Sequence, residues 1–106
     1  MQRICFRLNV RPEVLAEYVA THEALWPEML DALSAAGWTN YTLFHDGQGT
    51  IVGCVECEDW DAALAAIGAT DVNARWQAYM ERFFTGLDGK RVDEGLEVLT
   101  PYFHLA

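Results

Sequence analysis

Apolar and mostly polar residues alternate along residues 3–10, near the start of the chain. Alternation with a period of two is typical of a strand that buries one of its faces. Similar patterns predict three further strands, at residues 38–45, 50–58 and about 96–105. The turn residues 46–49 join the second and third of these strands, so we expect the two to form an antiparallel hairpin.

Between the first and second strands, apolar residues recur at the spacing of a helix. Pro12 opens this helical run, since proline is favoured in a first turn, and Gly37 ends it. Pro27 interrupts the run because its nitrogen cannot donate a hydrogen bond to the carbonyl of Glu23 and its ring crowds that turn. We therefore expect the helix either to kink at Pro27 or to end and restart with Pro27 in a first turn.

Two more helices are predicted between the third strand and the last one. A short helix covers residues 60–67, and a second begins after it with Thr70 or Asp71 as its N-cap. Residues 85–95 are weakly patterned and predict a surface loop. The resulting order is βαββαβ, which is typical of an α+β, ferredoxin-like fold whose helices cover one face of an antiparallel sheet.

The second face of this sheet also carries apolar residues. In the second strand, alternation places Tyr41 and Leu43 on one face and Trp38 and Phe44 on the other. The helices of a single domain over residues 1–106 cover only one of these faces. We therefore expect a second copy of the chain to cover the other, giving a homodimer of the dimeric α/β-barrel type. An open, exposed sheet face is the alternative.

The balance of charged residues argues against polyanionic partners. Seven Lys and Arg residues against sixteen Asp and Glu residues give a formal charge of −9. Such a field repels polyanions, so we expect no nucleic-acid partner and no anionic membrane partner. The sequence shows no signal-peptide pattern and no apolar run of about eighteen residues, which predicts a cytoplasmic protein without a membrane span.

The cysteines predict reduced thiols and no metal site. Cys54 and Cys57 form a C-x-x-C pattern, and Cys5 is the third cysteine. Residues three apart in a strand point to opposite faces, so these two thiols are poorly placed to share a zinc ion. An odd number of cysteines also fits a reducing compartment.

Three chemically useful side chains share one face of the first helical run. Tyr18, His22 and Trp26 are spaced four residues apart and are therefore neighbours. A histidine on an apolar stripe is by itself more often a core residue, and Glu28 by itself a solvated carboxylate. The run is joined by further aromatic and polar candidates elsewhere: Asn40, Tyr41, Arg75, Trp76 and His104. Aromatic walls with a few polar groups suit a sugar, whose C–H faces stack on rings while its hydroxyls seek partners.

The segments EYVATHEALWPEM, WTNYTLF, TDVNARWQAYM and YFHLA together resemble the L-rhamnose mutarotase family along nearly the whole chain. The resemblance implies a ferredoxin-like homodimer that interconverts the α and β anomers of L-rhamnose, with no metal and no cofactor. It implies that His22 is the catalytic residue and that Tyr18, Tyr41 and Trp76 bind the sugar. Many members have a pair of tryptophans where this chain has Trp76 and Gln77, so one wall of the site is more polar here.

The full set of residues expected to bind substrate is Tyr18, Tyr41, Trp76, Trp26, Asn40 and Gln77. Imidazole exchanges protons near neutral pH, so we expect His22 to donate a proton to the ring oxygen of the sugar. The complementary base stays open: Glu28 or a bound water could accept the proton, whereas Tyr18 and Tyr41 could orient hydroxyls or relay it. Two other functions stay open as well. One is a cofactor-free monooxygenase of the same small dimeric fold, which would consume oxygen with a polycyclic phenol, and the other is a sugar-binding module without catalysis.

Overall fold

Four antiparallel strands form one sheet in a computed structural model, which describes residues 1–85 and 91–106. The strands are β1 (Gln2–Asn9), β2 (Thr39–His45), β3 (Thr50–Cys57) and β4 (Glu97–Val98), arranged in the order β2-β3-β1-β4. β1 pairs with β3 and with β4, and β2 pairs with β3. This topology confirms the predicted α+β, ferredoxin-like fold.

Four α-helices connect the strands: α1 (Leu15–Glu23), α2 (Pro27–Ala35), α3 (Trp60–Gly68) and α4 (Asp71–Met80). Pro27 is the first residue of α2, so the helical run ends at Glu23 and restarts, which decides between the two expectations for this proline. Thr70 is the N-cap of α4, and its hydroxyl oxygen accepts a hydrogen bond from the backbone N–H of Asn73 at 3.2 Å. Among the described helices, none is long and apolar enough to cross a membrane.

The core lies between the helices and one face of the sheet. Alternate residues of β3 are buried, as the period-two pattern requires, and Phe6 of β1 is 1% exposed. Phe6 is directly opposite Gly53 in the β1–β3 ladder, and its ring occupies the space that a side chain at Gly53 would fill. Cys54 and Cys57 lie on opposite faces of β3, with Cys57 buried and Cys54 partly exposed, as predicted.

The prediction that Trp38 faces away from Tyr41 is wrong. The β2–β3 pairing shifts register between Thr39 and Thr42, and Asn40 has a φ of +46°. This bulge reverses the alternation, because an extra residue on one strand turns the following side chains to the other face. The ring of Trp38 therefore lies 5.0 Å from that of Tyr41, and its indole N–H donates to the carbonyl of Ala63 at 3.1 Å.

The predicted last strand at residues 96–105 is also wrong in its length, since only Glu97 and Val98 form β4. Pro101 lacks a backbone N–H, so the ladder cannot continue through it. The segment beyond leaves large apolar side chains uncovered in the single chain, with Tyr102 98% exposed and Phe103 78% exposed.

The predicted surface loop at residues 85–95 is only partly described, since residues 86–90 lie outside the described part of the chain. The rest of the segment is not all surface. Val92–Glu94 form one turn of 3₁₀ helix, and the side chain of Val92 is 7% exposed. This turn packs its apolar residue into the core and brings Asp93 beside α4.

Candidate functional site

A cavity lies between the sheet and the helices, and five of the residues predicted to bind or convert the substrate line it: Tyr18, His22, Tyr41, Trp76 and Gln77. Its volume is about 80 Å³. A cavity needs roughly 10–15 Å³ by this measure to hold one water, so the space accepts a ligand of several heavy atoms. Most of the lining is apolar or aromatic, which fits a site that stacks on the faces of a small polyol.

His22 lies in the last turn of α1 between two aromatic rings. The centroid of its ring is 4.5 Å from that of Tyr18 and 5.4 Å from that of Trp76, which it meets edge to face. The Nδ1 atom of His22 is 3.2 Å from the backbone carbonyl oxygen of Tyr18. A carbonyl oxygen can only accept, so this contact requires the proton to be on Nδ1 and leaves Nε2 as a bare acceptor in the neutral ring.

The surroundings of His22 lower the pKa of its imidazole below the ordinary 6.5, because burial disfavours the charged form. The hydrogen bond to the carbonyl of Tyr18 acts in the opposite direction and offsets part of this effect. At neutral pH the ring is therefore neutral, with Nε2 ready to take a proton.

The two tyrosines of the cavity keep their phenolic protons. Burial raises the pKa of Tyr18 above its ordinary value. Burial of its hydroxyl group raises the pKa of Tyr41 too, because burial disfavours the charged phenolate, and the nearby hydroxyl of Tyr18 raises it further. Tyr41 exposes 36% of its surface, so it lies where the cavity meets solvent. Both phenols can orient sugar hydroxyls at neutral pH, but neither is available there as a base.

Trp26 supports the site from behind rather than lining the cavity. It lies in the break between α1 and α2, where the dihedral angles that precede Pro27 differ from those of a helix. Its ring meets Trp76 edge to face at 5.0 Å and Tyr79 at 5.9 Å. The break at Pro27 thus places Trp26 so that it fixes the orientation of the cavity wall formed by Trp76.

Two other predicted site residues also lie outside the cavity lining. Asn40 is exposed at the bulge of β2, where its Nδ2 atom is 3.4 Å from Glu56 Oε1. Glu28 is exposed on α2, and its carboxylate accepts a hydrogen bond from Arg75 at 3.2 Å. Arg75 is therefore occupied at the surface as well. His104 lies against Arg3 in the C-terminal segment.

Sequence reasoning missed a polar wall of the cavity. Asn73 and Asp93 line the cavity together with Gln77, and Asn73 is 1% exposed. Asn73 and Gln77 are four residues apart on α4, so helical spacing was the signal that could have paired them. No comparable signal was available for Asp93, because it lies in the weakly patterned segment that reads as a loop. Within residues 1–85 and 91–106, no group of three or more His, Cys, Asp or Glu side chains could hold a metal ion.

Comparison with known proteins identifies the family of this chain. The family model described as "rhaM: L-rhamnose mutarotase" matches residues 3–105. The chain belongs to the L-rhamnose mutarotase family. This confirms the resemblance seen in the sequence. An L-rhamnose mutarotase of Burkholderia cenocepacia (strain HI2424) is 41% identical over 106 residues, which cover 99% of each chain.

The chain is also similar to more distant members of the L-rhamnose mutarotase family. One from Listeria monocytogenes serotype 4b (strain F2365) is 38% identical over 81 residues, covering 76% of this chain and 77% of that protein. Among solved structures, an L-rhamnose mutarotase from Formosa agariphila superposes with a TM-score of 0.81 at 20% identity, with full coverage of both chains. At that identity the superposition shows the shared fold.

Proposed function

We propose that this protein is an L-rhamnose mutarotase, an isomerase that interconverts the α and β anomers of L-rhamnose. Besides family membership, one structural observation supports this proposal. A neutral histidine, with its Nδ1 proton held by the carbonyl of Tyr18, lines an aromatic cavity of a size suited to a small polyol. The alternatives of a monooxygenase and of a non-catalytic module receive no comparable support from family membership.

Ring opening moves one proton over a short path. Nε2 of His22 takes the proton from the anomeric hydroxyl, and the imidazolium then gives it to the ring oxygen as the C1–O5 bond breaks. The two sugar oxygens are bonded to the same carbon, so one imidazole reaches both. These steps include the expected donation from His22 to the ring oxygen, and they need no second acid–base group such as the carboxylate of Glu28.

Ring closure reverses the same steps on the other face of the carbonyl. Rotation about the C1–C2 bond of the open chain turns the aldehyde over. His22 then takes the proton of the O5 hydroxyl as that oxygen attacks C1, and returns it to the former carbonyl oxygen. The protein ends each cycle in its starting protonation state. Trp76 offers a ring face to the C–H groups of the sugar, while the phenols of Tyr18 and Tyr41 orient its hydroxyls.

The rate is expected to rise with pH, with the midpoint of the rise below pH 6.5, and then to level off. The active form is the neutral imidazole, and the pKa of His22 lies below its ordinary value. Between the lowered pKa of His22 in the folded chain and its ordinary pKa of 6.5 in the unfolded chain, the unfolded chain binds more protons. The free energy of unfolding should therefore rise with pH between these two pKa values. Anomer exchange measured from pH 4.5 to 8, corrected for the spontaneous rate in each buffer, checks this. A catalysed rate that falls as the pH rises through this window would mean that the imidazolium is the active form.

Polarimetry on a freshly dissolved single anomer tests the proposed function. We expect L-rhamnose to reach its equilibrium rotation faster with the protein than without it. The acceleration over the spontaneous rate should be larger for L-rhamnose than for other aldoses in a panel. Oxygen uptake with a polycyclic phenol, without any effect on sugars, would instead establish a monooxygenase. Binding of L-rhamnose without acceleration would establish a non-catalytic module.

We infer that the protein is a homodimer in which the outer face of the sheet is covered. On that face Phe44 is 56% exposed, and Val52 is only half-buried on the neighbouring strand. The exposed aromatic residues Tyr102 and Phe103 follow β4 and add to the apolar surface of the single chain. Light scattering is expected to give twice the mass of the chain. Phe44→Glu should shift this mass toward the monomer, and a monomeric wild type would contradict the inference.

We also infer a cytoplasmic location. The chain has three cysteines, which cannot all pair with one another within one chain. An odd number fits reduced thiols and a reducing compartment. Cell fractionation should therefore recover the protein with cytoplasmic markers.

A further inference from the structure

Asn73, Gln77 and Asp93 form a closed ring of hydrogen bonds in the cavity wall. Nε2 of Gln77 donates to Oδ1 of Asn73 at 3.0 Å, and Nδ2 of Asn73 donates to Oδ2 of Asp93 at 3.0 Å. The backbone N–H of Asp93 then donates to Oε1 of Gln77 at 3.0 Å. We call these three residues the amide–carboxylate ring.

The directions of these bonds follow from the chemistry of the groups. The carboxylate of Asp93 only accepts, so Asn73 must turn its NH₂ group toward it and its oxygen toward Gln77. Gln77 must then offer its own NH₂ to that oxygen, which leaves its carbonyl for the backbone N–H of Asp93. All three bonds agree with a single orientation of both amides.

Arg91 holds the carboxylate end of the ring. Its Nε donates to Oδ1 of Asp93 at 3.1 Å and its Nη2 donates to Oδ2 at 2.8 Å, a two-point contact. Arg91 thereby supplies the counter-charge that a carboxylate next to an apolar cavity requires. Asp93 is thus available as an acceptor whose position is fixed from two sides.

The amide–carboxylate ring retains unused hydrogen-bonding capacity at the cavity. Each amide nitrogen carries two hydrogens, and within the described residues Gln77 and Asn73 each donate one of them. Oδ1 of Asp93 accepts one hydrogen bond from Arg91 and has a further lone pair. A hydroxyl group both donates and accepts, so it matches this combination, whereas a methyl group satisfies neither need.

We propose that the amide–carboxylate ring is a hydroxyl-recognition site that selects the sugar. A ring hydroxyl of the substrate binds at this wall. It donates a hydrogen bond to Oδ1 of Asp93 and accepts one from the Nε2 group of Gln77. The proposal rests on the mutarotase function proposed above. It assigns the C6 methyl group of L-rhamnose to the apolar part of the cavity and its secondary hydroxyls to the polar wall.

The test compares L-rhamnose with its 2-deoxy, 3-deoxy and 4-deoxy analogues, using kcat/KM for anomer exchange after subtraction of each spontaneous rate. In the wild type, the analogue that lacks the recognised hydroxyl should be converted about 10- to 100-fold less efficiently, because the buried partners are left unpaired. Gln77→Met keeps the length of the side chain but removes its N–H groups. This variant should reduce the discrimination against that one analogue by at least about 5-fold.

Gln48→Leu is the matched control, since Gln48 is an exposed glutamine in the β2–β3 turn, and its discrimination should equal that of the wild type. Asp93→Asn removes the acceptor charge and should also weaken the discrimination, so the proposal stays testable if Gln77→Met fails to fold. A loss of rate that is equal for all four sugars in both variants would overturn the hydroxyl-recognition site. A wild type that accelerates none of the sugars would overturn the mutarotase function itself.

Discussion

His22→Ala is expected to lower the catalysed rate of anomer exchange by about 10²- to 10⁴-fold, the range typical of losing a general acid–base group. The variant removes the only imidazole that lines the cavity in the described part of the chain. Tyr18 and Tyr41 remain, but their raised pKa values keep them protonated and unable to replace the base. The excess over spontaneous exchange should therefore almost disappear.

His45→Ala is the matched control for this substitution. His45 is an exposed histidine at the end of β2, and its Nδ1 atom accepts a hydrogen bond from the backbone N–H of Gly47 at 3.0 Å. Its removal should change the exchange rate by less than about 2-fold, because His45 does not line the cavity. An active His22→Ala variant with the wild-type rate would remove His22 from the mechanism.

Gly53→Ala is expected to lower the free energy of unfolding by about 1–3 kcal/mol, as overpacking in a closed core does. A Cβ atom at Gly53 would lie 2.4 Å from Cζ and 2.6 Å from Cε1 of Phe6. The ring of Phe6 is 1% exposed and packs toward Tyr41 and Trp60 at 6.1 and 6.2 Å, so it can be displaced only at the expense of these contacts or of the cavity. Phe6 also lines the cavity, so a displaced ring should reduce the exchange rate as well.

Urea denaturation of four variants measures this effect: Gly53→Ala, Gly68→Ala, Phe6→Leu and the double variant of Phe6→Leu with Gly53→Ala. Gly68→Ala is the control, because beyond its chain neighbours and the backbone of its own helix no described atom lies within 4 Å of a Cβ placed at Gly68. It should leave the stability unchanged or raise it by up to about 1 kcal/mol. Phe6→Leu combined with Gly53→Ala should show a favourable coupling of at least about 0.5 kcal/mol, since the smaller side chain relieves the clash. Equal stability of Gly53→Ala and the wild type would mean that Phe6 does not occupy this space.

Much of the fold could be predicted from local patterns in the sequence. Period-two alternation located the first three strands within a residue or two, and the chemistry of proline fixed the break before Pro27. The preference of side-chain oxygens for unpaired backbone N–H groups limited the N-cap of α4 to Thr70 or Asp71, and Thr70 is the residue that occupies it. These features depend on neighbours in the chain, so a single sequence contains them.

The features that could not be predicted depend on contacts between distant residues. The bulge that turns Trp38 toward Tyr41 is a property of the pairing between β2 and β3, and alternation along one strand cannot reveal it. Pro101 limits the last strand locally, but the pairing of β4 with only Phe6 and Arg7 of β1 is a tertiary feature. The approach of Asp93 to α4 is likewise a tertiary contact.

The candidate site, like the fold, could be predicted only in part from the sequence. His22 and Tyr18 are neighbours on one helix, so their pairing was visible in the spacing. Residue type suggested Tyr41 and Trp76, and the family resemblance implied that they bind the sugar. Reasoning from residue type alone also suggested Asn40 and Glu28, which hydrogen-bond to Glu56 and Arg75 away from the cavity lining. Residue chemistry identified plausible groups, but the packing of the sheet decided which of them share a cavity.

Saturation-transfer NMR on L-rhamnose at equilibrium tests the central claim most directly. Irradiation of the anomeric proton of the α form should reduce the signal of the β form in the presence of the wild-type protein at neutral pH. The transfer should grow in proportion to protein concentration and return to the spontaneous level with His22→Ala. Transfer at the spontaneous level with the folded wild-type protein would contradict the account.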